Sequence, residues 1–141
     1  MWRHATTPAG INAEFRPWMR MTVPGRLRHT SLDEVELGVR LCRSWVLLLA
    51  VVPFEYDDLV IVERGPGLRF LERSSTLVAR TWQHERTVTP RAQGSRIEDR
   101  LTFEPRALTA RLPGGTRLHT AVIRTILRHR HRRLVRSFGA A

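Results

Sequence analysis

The stretch that most constrains this chain is Arg80 to Arg106, RTWQHERTVTPRAQGSRIEDRLTFEPR. It reads as a hairpin: two alternating segments joined by Pro90-Arg91-Ala92-Gln93-Gly94-Ser95, where Pro and Gly end the strands and make the turn. Placing Pro90 opposite Ser95 pairs Val88 with Ile97, Arg86 with Asp99, His84 with Leu101 and Trp82 with Phe103. Side chains alternate between the faces of a strand, so these eight share one side. The other side then sets Glu85 against Arg100 and Thr87 against Glu98. One register thus gives an apolar face with a single ion pair and a polar face with its own opposite-charge pair. A slip of one residue would ruin both. The apolar face is expected to line the interior.

With 141 residues the chain is expected to form one domain over 1–141, large enough to bury roughly 68–70% of its unfolded surface. It carries 24 basic and 13 acidic residues, a net charge of +11, and every basic residue is Arg. Such a charge attracts nucleic acid, anionic membranes or acidic partners non-specifically. The single cysteine, Cys42, excludes an internal disulfide and reads as a small core residue. The longest apolar run, Trp45 to Val52, is far short of the roughly 20 residues a membrane span needs. No signal peptide opens the sequence, and a cytoplasmic location is the expectation.

Along the chain, Met1 to Arg16 reads as two short helices broken at Thr7-Pro8, with Thr7 capping and Pro8 in the first turn of the second. Trp18 to Val23 reads as a strand, Arg26 to Gly38 as a polar loop, and Leu41 to Val52 as a strand ended by Pro53. Tyr56 to Arg64 and Leu68 to Val78 form another hairpin around Gly65-Pro66-Gly67, with Glu63 facing Arg69 and Ile61 facing Leu71. After Gly114-Gly115 a helix runs from about Thr116 to Phe138. Ile123, Ile126, Leu127, Leu134 and Phe138 form a stripe on it, and Arg130 sits inside that stripe. The fold class is therefore α+β: two short N-terminal helices, about six antiparallel strands and one long C-terminal helix, with the curved sheet wrapped on that helix.

Taken in order, the Trp82-x-His84-Glu85 pattern, the R-I-E-D-R-L-T-F-E-P run from Arg96 to Pro105 and the Arg128-His129-Arg130 region of the last helix resemble the START/SRPBCC superfamily. That family includes the birch-pollen allergen and the polyketide cyclases, and the likeness covers about Trp2 to Phe138. It implies a helix-grip fold, in which a strongly curved antiparallel sheet grips the C-terminal helix around an apolar cavity. Members bind hydrophobic small molecules; a minority are cyclases, aromatases or hydrolases. The family's first strand looks absent here, which would leave Ile97 to Phe103 as a bare edge and favour self-association through it.

The candidate ligand-binding residues are Trp45, Trp82, His84, Arg86, Asp99, Leu101, Phe103, Ile123, Leu127 and Arg130. Arg86 and Asp99 either orient a polar ligand group or satisfy one another across the hairpin. His84 either donates to a ligand or is a hydrogen-bonded interior histidine. His129 and His131 diverge on their helix and suit solvated side chains better than a metal site; no metal or cofactor is expected. The leading expectation is a binding module for a lipid- or polyketide-like molecule. A cyclase- or hydrolase-type enzyme using the same cavity is the alternative, although no nucleophile–base pair is visible. The Arg-rich last helix raises a third reading, binding of nucleic acid or anionic lipid, but no aromatics interleave it for base stacking.

Overall fold

The computed structural model describes residues 1–139. Helices α1 (Trp2–Thr6) and α2 (Pro8–Phe15) meet at Thr7, whose hydroxyl accepts from Gly10 N, with Pro8 opening α2. At Gly10 the two helices come so close that a Cβ would lie 1.9 Å from His4 O, so only glycine fits there. Strands β1 (Met19–Met21), β2 (Arg40–Leu48), β3 (Val52–Arg64), β4 (Arg69–Thr76), β5 (Ala79–Pro90) and β6 (Ser95–Pro105) follow in an antiparallel meander, each paired with its sequence neighbours. The sheet is curled into a half-barrel. A short helix, α3 (Ala107–Arg111), which the sequence did not announce, leads into α4 (Gly115–Phe138).

The β5–β6 register is the one the side chains demand: Arg86 opposes Asp99, His84 opposes Leu101, Trp82 opposes Phe103, and Glu85 opposes Arg100. The face carrying His84, Arg86 and Val88 is buried. Strand β6 pairs only with β5 among the described residues, and Arg96, Glu98 and Arg100 alternate outward along it.

Three local expectations give way. The apolar run before Pro53 is not one strand but a hairpin tip. Strand β2 stops at Leu48, Leu49 and Ala50 turn with φ of 50° and 62°, and β3 starts at Val52 with Pro53 opposite Leu47. Two left-handed residues in succession match the twist of a hairpin, but Leu-Ala carries none of the usual Asn-Gly signal. The second hairpin is also displaced. Ile61 faces Glu72 and Glu63 faces Leu71, because a bulge falls between Ile61 and Glu63 and the turn closes only where Gly65 N donates to Arg69 O. The Glu63–Arg69 ion pair still forms, at 3.1 Å, diagonally. Finally, the loop from Arg26 to Gly38 is not merely polar. It sends Leu32 and Val35 into a cluster with Ile61 and Phe70. Leu32 N donates to Thr6 O and Gly38 N to Ile61 O, so the loop is sewn to α1 and β3.

On α4, Ile123 and Leu134 are buried and Leu127 and Ile126 half-buried, whereas Phe138 is largely exposed and makes an edge contact with the His4 ring. The tip of the β2–β3 hairpin is unusually apolar for a solvent-facing turn; Val51 is 72% exposed.

Each left-handed non-glycine residue costs roughly 1–2 kcal/mol. Replacing the tip pair together, Leu49→Asn with Ala50→Gly, should therefore raise stability by about 1 kcal/mol, read as a higher denaturant midpoint at unchanged m-value. No gain would mean that the turn holds another shape in solution.

Candidate functional site: an apolar cavity against a buried charge network

The curled sheet and α4 enclose a cavity of about 170 Å³. Its apolar wall includes Phe15, Met19, Phe54, Phe70, Trp82, Leu101, Ile123 and Leu127. Five of these come from β4, β5, β6 and α4, which the fold brings to one concave side. The polar lining is sparse: Glu55, Asp57, Glu72, Thr76, His84, His119 and Arg130.

Against one end of the cavity stands a network built on Arg86, which is wholly buried. Its Nη1 and Nη2 donate to the two Glu14 oxygens at 2.8 and 3.0 Å, and its Nε and Nη2 donate to Asp99 at 2.7 and 2.9 Å. The planar guanidinium thus makes a fork to each of two carboxylates, an arrangement lysine could not supply. Glu14 also accepts from Arg130 Nε at 2.9 Å, and Arg130 lies 4.8 Å over the Phe15 ring. Asp99 holds His84 Nε2 and His131 Nε2, each at 2.7 Å. The other His84 nitrogen is 3.6 Å from Glu72, which accepts from Ser74 Oγ.

These contacts set the charges. Burial opposes ionisation of Glu14, but Arg130 and Arg86 outweigh it and hold its carboxyl below the usual range. Burial likewise opposes ionisation of Asp99, and its bonds to His131, His84 and Arg86 drive the value far down. Burial would favour neutral His84; its bonds to Asp99 and Glu72 prevail and raise it. Burial would raise Glu72 too, and His84 keeps it low instead. Burial pushes Asp57 well up, and neighbouring Glu72 adds to that. Three carboxylates, Glu14, Asp99 and Glu72, then face three cations, Arg86, Arg130 and protonated His84. The interior is balanced even though the chain as a whole is strongly basic.

Of the residues singled out from the sequence, Trp82, His84, Leu101, Ile123, Leu127 and Arg130 line the cavity together. Arg86 and Asp99 stand behind the wall and satisfy one another, with further partners in His84 of β5, Glu14 of α2 and His131 of α4. Phe103 borders the cavity through contacts with His119 and Trp82. Trp45 is placed differently from expectation. Ser44 faces inward, so strand alternation turns Trp45 to the outer face, 41% exposed and packed edge-on against Tyr56. His131 is tied to Asp99 rather than free in solvent, and His129 Nε2 sits 2.9 Å from Arg16 O. The residues missed were Glu14, Glu72, Asp57 and His119. Glu14 had a signal: it is the sole acidic residue before Asp33.

Fold and site together define an α+β protein with a half-barrel sheet, a C-terminal helix and an internal, largely apolar cavity. The chain belongs to the family described as domain of unknown function DUF8410, whose model matches residues 1–138. No curated protein and no solved structure gives a significant match. No helix among the described residues is long and apolar enough to cross a membrane.

Glu14→Gln keeps the shape but leaves Arg86 and Arg130 with too little negative charge. It should cost about 3–5 kcal/mol in chemical unfolding, the range for breaking one side of a buried ion pair. A loss below half a kcal/mol would show that the network is solvated.

The pH profile follows from the same groups. The depressed Glu14, Asp99 and Glu72 contribute stability present above their unfolded values near 4, lost as pH falls further. His84 contributes stability present below its unfolded value near 6.5, lost as pH rises through its raised folded value. His4 and His119, both lowered chiefly by burial, act with opposite sign, but only below that same value. Asp57, pushed well up, acts in the same sense, losing stability as pH rises from its unfolded value near 4 through its raised folded one. The melting temperature should therefore decline as pH rises above about 6.5, and the decline should become shallower in His84→Gln. A flat alkaline limb in the wild type would refute the assignment.

Proposed function

We propose that this protein is a binding module for an apolar small molecule held between the curled sheet and α4, on a helix-grip fold of the START/SRPBCC type. The observation that carries the reading is the cavity: about 170 Å³, walled mainly by aromatic and aliphatic side chains. A cavity of roughly 150 Å³ with such a lining accepts benzene. A ligand of one or two fused rings, or a comparably short lipid-like chain, matches this space. The order of elements supports the fold assignment: short helices, an antiparallel meander and a docked terminal helix follow one another as in that superfamily.

Binding is a better reading than catalysis because His84 is already committed, and His119, the other histidine on the wall, packs edge-on against Phe103 with no carboxylate bonded to it among the described residues to orient or activate it. His84 lies between Asp99 and Glu72, held in its charged form. As an imidazolium bonded to a strongly stabilised carboxylate, it has no free base to offer. The basic helix is also partly used inside. Arg130 is buried on Glu14, and Arg133 donates to Ala13 O. That reduces the phosphate-facing charge a nucleic-acid reading would need.

Native mass spectrometry of the protein purified from its own cells should show a retained non-covalent apolar adduct. Titration calorimetry should show saturable binding of naphthalene at micromolar concentration. Ile126→Trp, at a half-exposed position of the lining, should fill the space and weaken naphthalene binding at least about tenfold while the protein stays folded. Unchanged binding in that variant, or none in the wild type, rejects the cavity as the site.

A further inference from the structure

The run from Leu48 to Phe54, at the tip of the β2–β3 hairpin, is apolar and exposed at every position. Trp18, 57% exposed, stands beside it: Met19 opposes Leu48 in the sheet, and Leu49 N donates to Trp18 O at 2.7 Å. The turn itself does not call for such residues, since Asn-Gly makes a left-handed hairpin tip at lower cost. A contiguous apolar patch left in water marks a surface that meets something.

The charge around the patch narrows what that is. Trp18 and Met19 share a hollow with Ile126, Arg128 and Arg132 of α4. Arg124, Arg128, Arg132 and Arg136 recur every fourth position, so they form a row along the helix, and each is exposed. None of the four is paired with a carboxylate among the described residues. Arg20, opposite Leu47, adds another exposed cation. Residues 15–32, 46–54 and 105–139, which supply this face, contain no acidic residue. Glu14 and Glu55, at the ends of two of these segments, are committed to Arg86 and to the Tyr56 and Leu77 amides.

We infer that this face docks on an anionic membrane surface. The hairpin tip enters the boundary between headgroups and acyl chains, Trp18 lies at headgroup depth, and the arginine row meets lipid phosphates. Buried apolar area and attraction to anionic lipid are the two terms that hold a protein at such a boundary, and tryptophan suits its outer edge. The tip can leave water because its backbone is partnered: Val51 N donates to Leu48 O and Leu49 N to Trp18 O. A second copy of the chain fits less well, because each copy carries +11 and the arginines border the same patch. Nucleic acid would satisfy the arginines and leave the tip in water.

The test is flotation of the full chain with vesicles of phosphatidylglycerol and phosphatidylcholine in equal parts, set against vesicles of phosphatidylcholine alone. Wild type should float with the anionic vesicles and stay in solution with the neutral ones. Leu49→Ser with Val51→Ser, at two exposed positions, should weaken partitioning at least about tenfold. Arg128→Gln with Arg132→Gln should weaken it about thirtyfold, which is roughly 1 kcal/mol for each arginine. Thermal melts confirm that each variant is folded. A bimane label placed through Val51→Cys, in a Cys42→Ser background, should shift to the blue on anionic vesicles as the tip leaves water. Flotation that ignores the tip substitutions and leaves the bimane emission unmoved overturns the inference, as adsorption by charge alone. Equal flotation with neutral vesicles overturns it too, since the arginine row would then have no part. Failure of wild type to float overturns it outright; tip-dependent dimers in light scattering would then assign the face to a second copy, and arginine-dependent binding of single-stranded RNA to nucleic acid.

Discussion

Everything inside this protein depends on how the Arg86 guanidinium is neutralised. A cation with no solvent contact is tolerable only if carboxylates surround it in good geometry. The sheet supplies one carboxylate, Asp99, directly across the hairpin; the other, Glu14, must come from α2. Once buried, Glu14 attracts Arg130 from α4, and Asp99 gathers His84 and His131. A single inward-pointing arginine thereby ties together the N-terminal helices, the β5–β6 end of the sheet and the last helix. The cancellation inside also means that the excess of positive charge resides at the surface.

The network and the cavity divide the concave side of the sheet. Around Arg86 nearly every donor has an acceptor, and its geometry leaves no room for a guest. Toward Trp82, Leu101 and the first half of α4 the wall is apolar and the space is open. The same strands serve both regions, so the rigid charged end fixes the backbone from which the apolar end is hung. This explains why Arg86 and Asp99 look like ligand-binding residues in sequence and are instead the frame behind the wall.

What could be read from the chain depended on whether a feature was local. The β5–β6 register was legible because both faces of one hairpin carry complementary residues within 27 positions, so only one pairing satisfied them. The helix break at Thr7-Pro8 was legible through capping chemistry. The β2–β3 tip was not, because Leu49-Ala50 adopts a left-handed turn with side chains that give no sign of it. The neighbouring hairpin slipped because a bulge is a one-residue accommodation that alternation alone does not foretell. Trp45 was misplaced because a continuous apolar run hides which residues point inward; only the burial of Ser44 resolves its parity. Glu14 was beyond local reasoning altogether, since its partners lie 72 and 116 residues downstream. A cavity is likewise a property of elements brought together.

That last separation has a consequence for how the chain comes into being. During synthesis, α2 and most of the sheet leave the ribosome well before Arg130 does. Until α4 arrives, Glu14 and Arg86 can meet, but the far side of Glu14 and the apolar floor of the half-barrel remain open to water. The sheet cannot close early around its own interior, because the piece that covers it follows all six strands in the chain. Emergence of α4, rather than formation of any hairpin, is then the event that lets this fold close around its interior.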